Sequence, residues 1–255
     1  MFVAAFKKEW KESLRRHRIL VVIGIFLILG IISPVGAKLL PKMLEMMATK
    51  TNTQGIQVSF TREPMAGDAI FQYNKNFSML PILIVLLAMG LVAEEKTRGT
   101  AEMILSKPVS RFSFIFSKFA CLALVILIGA ASGGVVCLFY TSILLGGVDI
   151  GKYLFLNFLL FFYLVPFISI TLFMSVVIKN IAGAAISGIG FYFFFMIVGV
   201  IPGINRFTPQ GIYSYTAKMV LNSPSTEWIV PFISSLLITV VSFLLSIVIF
   251  EKQEI

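Results

Sequence analysis

From Tyr153 to Ile201 the sequence carries one charged side chain, Lys179. As a single helix this stretch would reach about 73 Å, far beyond a hydrocarbon core of roughly 30 Å. Hydrocarbon offers backbone groups no hydrogen bonds, so the run crosses as helix and must break. Lys179-Asn180, followed by Gly183, is the place to break it. Two spans result, 153–178 and 181–201. The other charge-poor runs add spans at 19–37, 77–93, 112–145 and 228–250. Six such helices set the fold class as an all-α integral membrane protein. Composition agrees: 58% of residues are hydrophobic and 13% charged, against about a quarter charged in soluble domains. The third run has 27 charge-free residues from Phe119 to Leu145. At about 40 Å it must tilt or protrude.

Residues 1–18 follow another pattern. Phe2, Phe6, Trp10 and Leu14 recur every four residues, with Lys7, Lys8, Lys11, Arg15 and Arg18 on the other side. This predicts an N-terminal amphipathic helix in the membrane interface, aromatics among headgroups and cations toward phosphates. A signal peptide cleaved at Val35-Gly36-Ala37 is the competing reading, and the long, helical period of the charged region argues against it. His17, the one histidine, reads as a solvated member of the basic run. The net charge of +9 flanks apolar runs, so it points to anionic lipid and topology rather than nucleic acid. Six spans put both termini on one side. With the N-terminus inside, inner segments hold thirteen of the 21 basic residues. The positive-inside rule then makes both termini cytoplasmic, in a multi-pass cell membrane protein.

The outer loop 38–76 keeps a helical period through Leu39, Leu40, Met43, Leu44 and Met47. The first helix therefore continues past its span or lies along the outer surface. Gln57–Phe60 suggests a short strand, and Asp68 a start for the helix of the second span. Glu45, Glu63 and Asp68 are too spread out for a metal or acid–base group. In the loop 202–227, Tyr213, Tyr215 and Met219 between Pro209 and Pro224 suggest short helices dipping into the headgroup region. Gly129 and Gly133 form a GxxxG that lets helices approach closely, within this chain or with a second copy. Pro166 should kink the fourth span, as a hinge or as a static bend. Phe191, Tyr192, Phe193, Phe194 and Phe195 surround the fifth, facing either an apolar cargo or lipid and core.

The inner stretch between spans two and three reads EEKTRGTAEMILSKPVSR, Glu94 to Arg111. Gly99 and Thr100 can open a short helix, with Glu102 in its first turn and Pro108 ending it. Ala101, Ile104 and Leu105 share one face. Ser110 can cap the helix that follows. An apolar face on so short a helix needs a partner protein or the inner lipid surface.

Several function classes fit poorly. No span holds an ionisable residue in mid-membrane, as ion-coupled carriers do. Ser132, Thr141, Ser142, Ser169, Thr171 and Ser175 do not make a channel ring. The lone histidine offers no hydrolase triad, and there is no Walker A pattern, so any ATP work belongs to another chain. Cys121 and Cys137 lie nearly on opposite sides of one helix and cannot pair with each other.

This layout resembles the membrane subunit of a type-2 ATP-binding-cassette (ABC) exporter. The 94–111 segment is similar to that family's E-[EKR]-x-x-G-T-x-E-x-[IL]-L-x-x-P-[IV]-[ST]-R, through Glu94, Glu95, Gly99, Thr100, Glu102, Leu105, Pro108, Ser110 and Arg111. The resemblance implies that this segment is a cytoplasmic coupling helix seated in a groove of an ATPase subunit. Ala101, Ile104 and Leu105 would fill the groove, and Glu94, Glu95, Arg98 and Glu102 would orient the helix by ion pairs. It implies two ATPase subunits, which bind the ATP and Mg, and a second permease subunit, identical or paralogous. The 202–227 loop resembles the family's outer re-entrant hairpin, while loop 38–76 is larger than in minimal members. Peptides, antibiotics, lipids, polysaccharides and ions are all cargoes of such proteins, and the aromatic fifth span tilts the expectation toward an amphipathic one. The alternatives are a membrane scaffold or sensor that recruits a soluble partner through the same hairpin, and a carrier driven by an ion gradient.

Overall fold

The structure, a computed structural model, describes residues 2–50, 64–99, 110–220 and 227–253. Every regular element among these residues is helical. Among the described residues, six helices or helix stacks are long and apolar enough to cross a membrane: Arg18–Pro41, Ala66–Thr97, Arg111–Leu145, Ile150–Val177, Ile181–Val198 and Ile229–Lys252. The short strand expected at 57–60 lies outside the described residues.

The chain opens with α1 (Phe2–Arg15) and turns at Arg16-His17. His17 adopts φ 56°, the left-handed region that costs a side-chain-bearing residue about 1–2 kcal/mol. That corner lets α2 (Arg18–Lys50) leave α1 at once, and α2 runs on well past its span. The second span is not one rod but three helices: α3 (Ala66–Phe77), α4 (Leu80–Ala88) and α5 (Ala93–Thr97). It begins at Ala66 rather than Phe77, because Asp68 sits in the first turn and its carboxylate accepts from the Met65 N–H at 2.7 Å. The third span is α6 (Arg111–Leu145), capped by Ser110, which accepts from the Ser113 N–H at 3.2 Å. Span four is α7 (Ile150–Val177) and span five α8 (Ile181–Val198). Between them Lys179 lies in the turn, and Asn180 caps α8 by accepting from the Ala182 N–H at 3.0 Å. A 3-10 turn (Asn205–Phe207), α9 (Pro209–Val220) and span six, α10 (Ile229–Lys252), complete the chain.

Span four is the axis of the bundle. Of its most apolar window 72% is buried inside the chain, against 17% for span five and 22% for span six. The outer faces of α8 and α10 are therefore left uncovered by the rest of the chain. Tyr163, Phe167, Leu159 and Leu160 of α7 pack with Tyr73, Phe77, Ile84 and Phe250. Pro166 is buried within α7, which is helical on both sides of it. The breaks fall in span two instead. Pro81 has no N–H, so the helix gives way before it. The Ile82 N–H bonds the Met79 carbonyl at 3.2 Å, and the Tyr192 hydroxyl of α8 donates to the Ser78 carbonyl at 2.9 Å.

The GxxxG of span three is used inside the chain. A Cβ on Gly133 would lie 2.5 Å from the Phe26 carbonyl oxygen of α2, and one on Gly30 at 2.5 Å from the Gly133 carbonyl oxygen. Gly129 sits under Val22 and Phe26. Small residues bring the two backbones together where lipid supplies no drive.

Candidate functional site

The 94–111 segment leaves the bundle through α5, whose five residues are too few to hold a direction alone. Neighbouring elements fix it. On one side lies α1. Lys8 Nζ donates to Glu95 Oε1 at 2.5 Å, and Arg16 Nη1 to Glu94 Oε2 at 2.7 Å. Arg98, one turn on, pairs with Glu94 at 2.7 Å. Beneath these pairs is a buried one. Lys118 of α6, 2% exposed, donates to Glu9 Oε1 at 2.9 Å and lies 3.0 Å from Glu95 Oε1. Glu12 joins through Lys8 at 3.7 Å and Arg16 at 3.0 Å. Oxygens of Glu9, Glu12 and Glu95 lie within 4.8 Å of one another. Such a trio resembles a metal site, but Lys8 and Lys118 reach into it and supply the positive charge.

Burial alone would push the Glu9 carboxyl up; the Lys118 and Lys8 ammonium groups outweigh that and hold it below the usual carboxylate range. Lys8 answers in kind. Partial burial works against its charge, yet Glu9 and Glu95 hold its ammonium above the usual lysine value.

On the other side lie the ends of spans four and six. Lys96 Nζ donates to the Val176 carbonyl and to Gln253 Oε1, and Gln253 Nε2 donates to the same carbonyl at 3.2 Å. Thr97 Oγ1 donates to the Lys179 carbonyl at 3.2 Å. Arg111 opens the third span and turns back toward α10. Its Nη1 donates to the carbonyls of Phe250 and Glu251 at 2.7 Å and of Gln253 at 3.1 Å. A cation at a helix C-terminus satisfies carbonyls that have no partner in the helix.

The sequence-based site residues therefore divide. Glu94 and Glu95, read as partner-facing, pair within the chain with Lys8, Arg16, Arg98 and Lys118. Arg111 is bound to the end of α10. Gly99, with φ 68°, follows the end of α5, its N–H on the Lys96 carbonyl at 3.2 Å; the helix it was expected to open lies outside the described residues. Thr100, Ala101, Glu102, Ile104, Leu105 and Pro108 lie outside the described residues. In α1, Phe2, Phe6 and Trp10 are half-buried, with Phe2 set 5.2 Å from the Phe116 ring, while Leu14 is 51% exposed. The side of α1 most enclosed by the chain carries Glu9 and Ser13, not the aromatic stripe. Sequence reasoning missed Glu9 and Lys118. The one signal was an acid set among cations at 7–11, and a lysine just ahead of a long charge-free run. Ser175, read as an ordinary polar residue, bonds the backbone of span two. Phe191 to Phe195 do face several ways: Tyr192 is buried, Phe195 packs on the core, and Phe193 and Phe194 are exposed.

These features agree with the comparison to known proteins. The family model described as ABC-2 family transporter protein matches residues 3–255. The chain belongs to this family. An ABC-2 transporter protein is a membrane component of a transport system, a permease, and its several apolar helices fit that role. A relative in Bacillus subtilis (strain 168), the uncharacterized transmembrane protein YxlG, is 23% identical over 192 residues, 74% of this chain and 73% of the relative.

Proposed function

We propose that this ABC-2 protein is the permease subunit of an exporter driven by a separate ATPase. The observation that carries the proposal is the placement of its family motif. The motif begins on α5, which is fastened to α1 by ion pairs and to spans four and six by hydrogen bonds. A push on the 94–111 segment is thereby delivered to most of the bundle. Glu94 and Glu95 hold the base of the segment, and Ala101, Glu102, Ile104 and Leu105 meet the ATPase. Two ATPase subunits bind the ATP and Mg, and a second permease subunit completes the complex. The chain lies in the cell membrane with both termini in the cytoplasm, where thirteen of its 21 basic residues face. The cargo is amphipathic, or peptide-like, and passes to the outside or the outer leaflet.

The test is purification of the tagged chain from its native membrane, with identification of the proteins that accompany it. Recovery of an ATPase with a Walker A motif supports the reading, and its consistent absence favours a scaffold that recruits some other soluble partner. With that complex in hand, Glu102→Arg and Ile104→Asp are expected to abolish stimulation of the ATPase while membrane insertion stays normal. Full stimulation in both variants removes the coupling role from this segment.

A further inference from the structure

Span two breaks a second time between Met89 and Val92, immediately before α5, and one side chain holds that break. Ser175 of α7 is fully buried. Its hydroxyl donates to the Met89 carbonyl at 2.8 Å and accepts from the N–H groups of Val92 at 3.1 Å and Ala93 at 3.0 Å. A serine hydroxyl has one proton and two lone pairs. Here all of that capacity is spent on the backbone of another span. In an unbroken helix the Val92 and Ala93 N–H groups would bond the carbonyls of Ala88 and Met89. The Leu91 N–H takes the Ala88 carbonyl instead, at 3.1 Å. Removing the hydroxyl strands two donors and one acceptor in a site closed to water, where each lost partner is costly.

We propose that Ser175 is the positioning residue that ties α5 to the fourth span, so that displacement of the 94–111 segment is passed into the core of the bundle. The inference rests on the exporter reading above. The ion pairs of Glu94 and Glu95 lead to α1 and, through Lys118, to the start of span three. Lys96 and Thr97 reach the Val176 and Lys179 carbonyls with their side chains. Ser175 lies in the same last turn of α7 and is fully buried, and it alone of the three bonds the backbone of the break itself. A shift of α5 cannot leave α7 in place without breaking all three.

Hydrogen exchange read by mass spectrometry tests the tie directly. The purified chain in lipid nanodiscs is compared with Ser175→Ala and Ser175→Thr. Exchange across residues 89–98 is expected to rise about tenfold in Ser175→Ala, with spans five and six unchanged, and to stay within about twofold of wild type in Ser175→Thr, which keeps the hydroxyl. Ser175→Cys, a weaker hydrogen-bonding partner, gives the same ordering in smaller measure should the alanine variant not survive purification. Unchanged exchange at 89–98 in Ser175→Ala and Ser175→Cys overturns the tie. A second arm uses the chain co-purified with its ATPase, nucleotide-free and then with ATP and vanadate. In wild type both 93–99 and 170–177 are expected to respond; in Ser175→Ala the response of 170–177 is expected to shrink while that of 93–99 stays, Lys96 and Thr97 still reaching span four. An equal response of 170–177 in the two proteins overturns the transmission role. A wild-type complex whose 93–99 segment does not respond overturns the exporter reading itself, while the first arm still decides whether Ser175 holds the break.

Discussion

Glu9 and Lys118 stand 109 residues apart and are almost completely enclosed, and they neutralise one another. Removing one partner from such a pair leaves an uncompensated buried charge, a cost of about 3–5 kcal/mol. Lys118→Met is therefore expected to lower unfolding stability, by less than that because Lys8 still pairs with Glu9 and Glu95. Adding Glu9→Gln should recover part of the loss, with a coupling of ~1 kcal/mol or more in the double-mutant cycle. The pH dependence follows from the same group. Glu9 titrates lower when folded, so its contribution is complete above the unfolded carboxyl value of about 4.3 and is lost as pH falls through the folded one. Lys8 titrates higher when folded, so its share is complete below about 10.4 and is lost as pH rises through the folded value. The docking of α1 should thus be flat between those limits and weaken outside them. Trp10 fluorescence in a Trp228→Phe background reads it, and docking that weakens steadily between pH 5 and 9 would contradict this assignment.

Helices α2 and α6 meet through glycines rather than through large side chains. At Gly133 an added methyl runs into the Phe26 carbonyl, which cannot move without moving the helix. At Gly129 it meets the Val22 and Phe26 side chains, which can rotate. Gly133→Ala is therefore expected to cost more than Gly129→Ala, within the ~1–3 kcal/mol typical of overpacking. Thermal unfolding of the two variants in the same detergent gives the order, and the reverse order would mean that the backbones are not in contact. The broken second span makes the opposite point. It is jointed twice along its length, and each joint is held by a side chain of a neighbouring span: Tyr192 at Ser78, Ser175 at Met89 to Ala93. At Pro166 span four stays helical on both sides of the proline, with 72% of its most apolar window buried among neighbours. Span two yields just before Pro81, and Tyr192 takes the Ser78 carbonyl that the Ile82 N–H leaves by bonding Met79 instead.

Seen as one body, the chain places its axis at span four and its charged network at one end, where α1, α5 and the start of α6 converge. The fold class and the number of spans were written in hydropathy alone, because hydrocarbon tolerates helices and little else. The cap at Ser110 and the turn at Lys179-Asn180 were equally local, set by residues within a few positions of each other. The family motif was legible as a string, but not which of its residues hold the chain's own neighbours. Glu94, Glu95 and Arg111 do so because α1 and α10 end beside them, and no local pattern says where another helix ends. The sequence by itself thus determined that this chain crosses a membrane six times and carries a polar segment between its second and third crossings. Only the tertiary structure decided that Lys118 is buried against Glu9, that the glycines of span three face α2, and that Ser175 closes a gap in span two. Hydropathy is a property of each segment against its solvent; a hydrogen bond or a neutralised charge needs a partner, and partners 80 or 100 positions away are assigned by packing.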